Sequence, residues 1–446
     1  MQIHTLMQPL QNCPCGRKHR VGVRSVEIGR ATLPQTADIL ASNGFPKKIL
    51  LIAGARSFAA ADGITDVLRS GGFDVRVHVY DGVHTSHRSD ADALASLCAD
   101  AQGLLFVGAG ALGDLCRRAC FLTGTEFAVF ATAPSTDGFA SDTAPITDHG
   151  FKRSLPARVP SVIIADTDIL AAAPSVLRSA GFGDMAGKAI GLADWRIGHL
   201  TTGEYYCERI AALTRGALRR VSAVADRIPE NDPEAAGILM ESLVCTGLAM
   251  KLCGSSRAAA GAEHIVSHFW EIKMQESGCP GVYHGQKVGA ASLMISRMYH
   301  DLIRTAEPEM FGRDETDWGR VYEVYGAAFT DDIRRCNSPT VTDETSPEIL
   351  RESWNGICRA VREEMPKPAA LEKLLRRAGT AISPQEIGIP PALALSGLEF
   401  HPYMRRRMTL SRLVPMLHCP TNYPAWAGLN KKGCERDADA VKRIAR

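Results

Sequence analysis

The sequence has almost no charge of one sign to spare. Its 51 Lys and Arg nearly cancel its 49 Asp and Glu, leaving a net charge of +2. That excludes a global field able to draw in nucleic acid or an acidic membrane surface. Apolar runs are short. The opening MQIHTLMQPLQNCPCGRKHR lacks an apolar core of signal-peptide length, and no stretch reads as long enough to cross a bilayer. No internal repeat or low-complexity tract stands out. A disulfide framework is also missing: the 13 cysteines are an odd number and most sit singly in apolar or helical runs, as suits a reducing compartment. These absences predict a cytoplasmic protein with no nucleic-acid partner and no membrane span.

What remains is ordinary globular material, 446 residues that are 45% hydrophobic and 22% charged. At about 150 residues per domain the chain holds two or three domains. The first part alternates strand and helix. Val21–Ile28 reads as an edge-like strand and Lys48–Ala53 (KILLIA) as a buried parallel one. Ser57–Arg69 has a helical pattern ending at Gly71-Gly72. Strands at Asp74–Tyr80, Gly103–Val107 and Phe127–Ala131 alternate with helices at Asp90–Asp100 and Leu112–Leu122. This rhythm predicts a parallel sheet covered by helices on both faces. A loop rich in Gly, Pro, Ser, Thr and Asp follows, with a hairpin of Thr143–Ile146 against Phe151–Leu155, and Val162–Ala165 reads as the last strand. Beyond it the patterns are helical. The predicted division is an α/β nucleotide-binding domain over 1–168 and an all-α domain over 169–446. Arg405-Arg406-Arg407 reads as a solvated helix face.

Two stretches carry chemistry. In Gly254–Gly289 three histidines lie close together. His264 and His268 are four apart and share a helix face, and His284 follows a Gly-Cys-Pro-Gly turn that folds the chain back. With Asp184, in AGFGDMAGK, they offer the two imidazoles and one carboxylate of a catalytic metal shell with an open position. Spacing does not say which two histidines bind. The order Glu263-His264 does not support the His-Glu-x-x-His protease mechanism. The second stretch is Gly108-Ala-Gly110-Ala111-Leu112-Gly113-Asp114, a G-x-G-x-x-G turn between a strand and a helix, suited to a pyrophosphate. It follows the fourth strand-like segment, and no acidic residue closes a strand about 20 residues on. Phosphate cradling is therefore expected without the usual dinucleotide topology. Cys13-Pro-Cys15-Gly-Arg-Lys-His19 supplies three metal-ligand candidates with no second cluster to complete them, and reads as a small turn or knuckle.

Five motifs in order, TAPSTDGFAS (Thr132–Ser141), AGFGDMAGK (Ala180–Lys188), ADWRIGHLTTGEYYCE (Ala193–Glu208), GSSRAAAGAEHIVSH (Gly254–His268) and YHGQKVG (Tyr283–Gly289), resemble the sn-glycerol-1-phosphate dehydrogenases of the bacterial branch. That family belongs to the superfamily of iron-type alcohol dehydrogenases, glycerol dehydrogenase and dehydroquinate synthase. FGRDETDWGRVYEVYG (Phe311–Gly326) resembles the same branch. The resemblance implies a Rossmann-like N-terminal domain, a helical C-terminal domain and a site in the cleft. It implies Asp184, His264 and His284 as metal ligands, and Asp184, His268 and Asp137 as catalytic and substrate-contacting positions. Nucleotide contacts would be Gly110 to Asp114, Thr132, Ala133, Pro134, Ser135 and Ser141. Ala111 stands where relatives often carry a hydroxyl residue, and the turn Ala53-Gly54-Ala55-Arg56-Ser57 has no carboxylate where NAD-preferring relatives carry one. Arg56 is thus a candidate for an adenosine 2′-phosphate, with Ser57 capping the following helix. Arg257, seven residues before His264, is a candidate for the substrate phosphate.

The implied reaction is hydride transfer between NAD(P)H and C2 of dihydroxyacetone phosphate, giving sn-glycerol 1-phosphate. One divalent metal is expected, zinc first, with nickel or iron also suited to Asp/His/His. Lowering the pKa of a bound water from about 15.7 to about 7 corresponds to about 11–12 kcal/mol, against about 3–5 for a positioned histidine. The expected partners are a small-molecule phosphate and further copies of the chain. The competing expectations are a dehydroquinate synthase-like cyclase with recycled NAD, another polyol dehydrogenase, and a non-catalytic metal- or nucleotide-binding protein.

Overall fold

The computed structural model describes residues 2–83, 85–279 and 281–429. They form two compact units: residues up to Met185 with Glu208–Ser256, and Ala186–Cys207 with the residues from Arg257 on.

The first unit holds a six-stranded parallel sheet in the order β1-β8-β5-β4-β2-β3. Its strands are β1 (Ser25–Gly29), β2 (Lys48–Gly54), β3 (Asp74–Tyr80), β4 (Gly103–Gly108), β5 (Glu126–Ala131) and β8 (Val162–Asp166). β6 (Thr143–Asp148) and β7 (Phe151–Pro156) make the expected hairpin. The apolar runs are buried on both faces, as a doubly covered parallel sheet requires. Ile49, Leu51 and Ala53 of β2 face one way, with α1 (Thr36–Ser42) and α3 (Ile64–Ser70) contributing Leu40, Ile64 and Leu68. Leu50 and Ile52 face the other, with α4 (Arg88–Leu97) and α5 (Ala111–Thr123) contributing Leu94, Leu115 and Cys116.

Leaving aside edge strand β1, the order is that of a 2-1-3-4-5 doubly wound sheet rather than 3-2-1-4-5-6, so the doubt about the usual dinucleotide topology holds. One expected helix divides. Ser57–Arg69 becomes α2 (Ala55–Ala60) and α3, broken where Gly63 takes φ +82°, a left-handed conformation that glycine adopts without cost.

Among the described residues no strand follows β8. The expected boundary at 168 marks that change of pattern, but the sheet-bearing unit continues past it. α7 (Glu208–Ala223) and α8 (Pro233–Cys253) belong with the sheet, and Met240, Val244 and Leu248 of α8 lie in its core. The expectation that no stretch could span a bilayer needs correcting on length. α8 has 21 residues and is apolar enough by composition, yet 83% of its most apolar window is buried inside the protein. It is a core helix that lacks a polar face because both sides are covered.

The second unit is helical. Its principal members are the later part of α6 (Ser175–Thr202), α9 (Ala262–Glu276), α10 (His284–Thr305), α11 (Pro347–Glu364), α12 (Pro391–Phe400) and α13 (Leu410–Leu417). Trp195, Trp270 and Tyr299 are fully buried within it.

Candidate active site and metal centre

The nucleotide-binding candidates lie at the carboxyl ends of β4 and β5. The helix following β2 in the outer crossover packs on one face of the sheet and α5, after β4, on the other, while β2 and β4 are neighbours. That makes the β2/β4 boundary a topological switch point, where open α/β sheets bind ligands. Gly110 takes φ +73°, and a Cβ there would meet nothing within 4 Å. It caps α5 without a side-chain hydrogen bond, leaving first-turn N–H groups for a phosphate. Gly108 and Gly113 answer to packing instead: a Cβ on either would come within 2.8 Å of the Phe106 ring.

Ala111 and Leu112 open α5. Asp114 pairs with the guanidinium of Arg117, which is itself buried and donates to the carbonyls of Ser141 at 2.9 Å and Thr143 at 3.0 Å. Thr132, Ala133, Pro134 and Ser135 form a buried turn after β5, with Thr132 N–H donating to Gly108 O. Helix α6 approaches that turn so closely that a Cβ at Gly181 would lie 1.9 Å from Pro134 O. Arg56 is exposed at the start of α2, beside the switch point. Ser57 is not the cap expected of it. Gly54 occupies the cap position and makes no side-chain bond. Exposed Asp81, missed in the sequence, follows Tyr80, the register partner of Gly54.

Asp184, His264 and His284 each present a ligand atom, and all three atoms lie within 4.8 Å of one another. Asp184 is fully buried, and its Oδ2 accepts the Asp137 N–H at 2.9 Å. His264 Nδ1 lies 2.6 Å from Glu263 Oε1, which also accepts the Gly261 N–H at 2.9 Å. With Nδ1 committed to a carboxylate, Nε2 is the nitrogen left to bind a cation. The His284 ring sits 5.2 Å from that of His264 and stacks on that of His268 at 5.6 Å. His268 is not in the ligand group. Its Nδ1 lies 3.3 Å from Glu271 Oε2, and the same oxygen is 3.3 Å from buried Lys287 Nζ. Glu271 and Lys287 went unnoticed in the sequence, and Glu263 was read only against a protease motif. Glu263 and Glu271 share α9 with His264 and His268, so their local spacing was the signal; Lys287 comes from α10 and had none. The donor set fits a divalent metal: three hard or borderline ligands, two of them oriented by further hydrogen bonds.

Behind this group lies a second buried carboxylate. Asp194 accepts from Ala262 N–H at 2.9 Å, Tyr299 Oη at 2.8 Å and Leu410 N–H at 3.1 Å. Burial, and then the Glu263 carboxylate, raise its pKa to about 7. Gly261 is required here, since a Cβ would fall 2.6 Å from Asp194 Oδ2.

Two expectations about arginines change. Arg257 is 3% exposed and its Nε lies 2.8 and 2.9 Å from the two carboxylate oxygens of Glu204, with Nη2 against the same group. The guanidinium expected to meet a substrate phosphate is thus buried against a carboxylate. Arg405-Arg406-Arg407 is not a helix face. Arg406 pairs with Glu344, and Arg407 donates to Ala260 O at 2.8 Å, its pKa lowered to about 10 by desolvation and by Arg257.

A doubly wound sheet with an uncapped glycine turn, followed by helices carrying an Asp/His/His group, fits the oxidoreductases of the iron-containing alcohol dehydrogenase class, whose family model matches residues 27–174. The chain is similar to the probable glycerol dehydrogenase of Sinorhizobium meliloti, a solved structure, with a TM-score of 0.61 and 18% identity over 95% of this chain and 97% of that one. Within the class, the chain belongs to the glycerol-1-phosphate dehydrogenase family. It is 32% identical to the glycerol-1-phosphate dehydrogenase [NAD(P)+] of Bacillus licheniformis, over 79% of this chain and 90% of that relative. It is 29% identical to that of Geobacillus thermodenitrificans, over 92% and 95%.

Proposed function

We infer that the protein interconverts dihydroxyacetone phosphate and sn-glycerol 1-phosphate with NAD(P)H. The observation that carries this reading is the three-ligand group of Asp184, His264 and His284 with His268 stacked beside it. Asp184, His264 and His284 would hold a divalent ion, zinc by our reading, which would supply electrophilic stabilisation of oxygen charge, while a bound nicotinamide would supply the hydride. The chain's own residues do the rest. The uncapped first turn of α5 and Gly110 receive the pyrophosphate, with Thr132–Ser135 and Ser141 alongside. Glu263 fixes the tautomer of His264, and the Asp137 N–H fixes the Asp184 carboxylate. His268, with Nδ1 set against Glu271, delivers a proton from Nε2 to the product oxygen and retrieves it in reverse. The Asp137 carboxylate accepts a hydrogen bond from a substrate hydroxyl. Metal-stripped protein should neither oxidise NADPH nor NADH with dihydroxyacetone phosphate, and should do so once zinc is restored. An absence of turnover in the restored protein would overturn the reading, as would release of a product with no net change in nicotinamide absorbance.

A further inference from the structure

We propose that Cys13, Cys15, His19 and Cys207 form a second, structural metal site, a closed Cys3His centre of the zinc type. Three of these ligands lie in one short N-terminal segment, too few by themselves to close a tetrahedral shell. The fold supplies the fourth, Cys207, from the residue preceding α7, and all four ligand atoms lie within 4.8 Å of one another. A tetrahedral ion with Zn–S bonds of about 2.3 Å places its sulfurs about 3.8 Å apart, inside that bound.

The histidine carries an independent sign. His19 Nε2 is 3.2 Å from Cys15 Sγ, while Nδ1 lies 3.3 Å from Leu252 O at the end of α8. A ring nitrogen donating to a backbone carbonyl fixes the tautomer that leaves the other nitrogen as ligand, as metal-binding histidines almost always do. Local backbone supports the same arrangement. Gly16 N–H donates to Cys13 O at 3.2 Å, and Gly16 takes φ +77°, which turns Cys15 back beside Cys13. Cys13 and Cys207 are both buried. The donors differ in kind from the Asp/His/His group: three thiolates and an imidazole select zinc-type ions and leave no place for substrate. Binding ties the N-terminal segment to the start of α7 and the end of α8, reinforcing the hold of Arg209 on Pro9 O.

The full chain, purified with zinc and analysed for metal, should carry two equivalents. His264→Ala should keep one and Cys207→Ser should keep one, while the double variant should carry none. Cobalt substituted into wild type and into His264→Ala should give a thiolate-to-cobalt charge-transfer band that Cys207→Ser lacks. X-ray absorption on His264→Ala should give metal–sulfur distances of about 2.3 Å. A single equivalent in wild type that disappears with His264→Ala would overturn the proposal, as would two full equivalents in Cys207→Ser. Should Cys207→Ser not fold, the cobalt spectrum of wild type decides: no thiolate band, or a disulfide among Cys13, Cys15 and Cys207 in the unreduced protein, overturns it.

Discussion

Glu263 holds the imidazole of His264 at 2.6 Å through Nδ1 while also taking the Gly261 N–H at the head of α9. One carboxylate thus sets both the start of the helix and the orientation of a candidate metal ligand. Glu263→Gln keeps the shape but weakens the acceptor, and metal affinity at the Asp184/His264/His284 site should fall about 10- to 100-fold. Competition with a chelator of known affinity measures this. An unchanged dissociation constant would show that Glu263 serves the helix alone.

Removing a ligand and removing His268 should differ. His264→Ala or His284→Ala should lose one equivalent of metal together with turnover. His268→Ala should keep its metal and lose about 10²- to 10⁴-fold in kcat. The contrast follows from the ligand atoms of Asp184, His264 and His284 grouping without His268. Metal content of the three variants, beside single-turnover rates, checks it. Full retention of metal in His264→Ala would remove that residue from the shell.

NADPH should serve at least as well as NADH. Arg56 is exposed beside the switch point, and Gly54 leaves the strand end without a side chain. A charge-assisted contact of about 1.5–3 kcal/mol corresponds to roughly 10- to 150-fold in affinity. Arg56→Ala should lower kcat/KM for NADPH by that order and leave NADH nearly unchanged. Asp81 pulls the other way. A strong NADH preference in wild type, relieved by Asp81→Asn, would transfer the reading of the ribose to that carboxylate.

Acid should destabilise the second unit through His401. Burial depresses its pKa to about 3, and its Nδ1 faces the carbonyls of Gly397 and Leu398 while Nε2 meets Ser411 Oγ at 2.9 Å. A histidine with a folded pKa below its unfolded value of about 6.5 binds its proton more readily when unfolded. Its contribution to stability is therefore present above pH 6.5 and is lost as pH falls toward 3, by about 1.36 kcal/mol per unit. Asp194, raised to about 7, acts in the opposite sense between about pH 4 and 7, where ionisation on the alkaline side costs stability. Urea midpoints across this range should show a shallower acid limb in His401→Gln. An identical limb would assign the acid sensitivity elsewhere.

The sheet was legible because each buried strand is a short apolar run bounded by turn residues, and the hydrophobic pattern fixes its register. The expected and observed strands agree at Asp74–Tyr80 and to within a residue at Lys48–Gly54. The pair His264 and His268 was legible because helical spacing is local. What escaped was non-local. The partner of Arg257 is Glu204, and the fourth ligand beside Cys13, Cys15 and His19 is Cys207; no periodicity links them. The break at Gly63 escaped for a different reason: an apolar pattern continues across it, and only the backbone angle reveals the turn. Glu263 was in plain view but served only to argue against a protease motif.

The Leu410 N–H that closes the shell around Asp194 has a consequence for the order in which the protein is made. Chains emerge from the ribosome N-terminus first, and domains assemble as their last elements arrive. Asp194 collects donors from Ala262, Tyr299 and Leu410, and Arg412 nearby is fully buried against Asp314 and Thr340. The scaffold behind His264 therefore stays incomplete until the chain has been synthesised through Leu410. A nascent chain stopped before Leu410 would carry Asp184, His264 and His284 and still leave a buried carboxylate short of one donor.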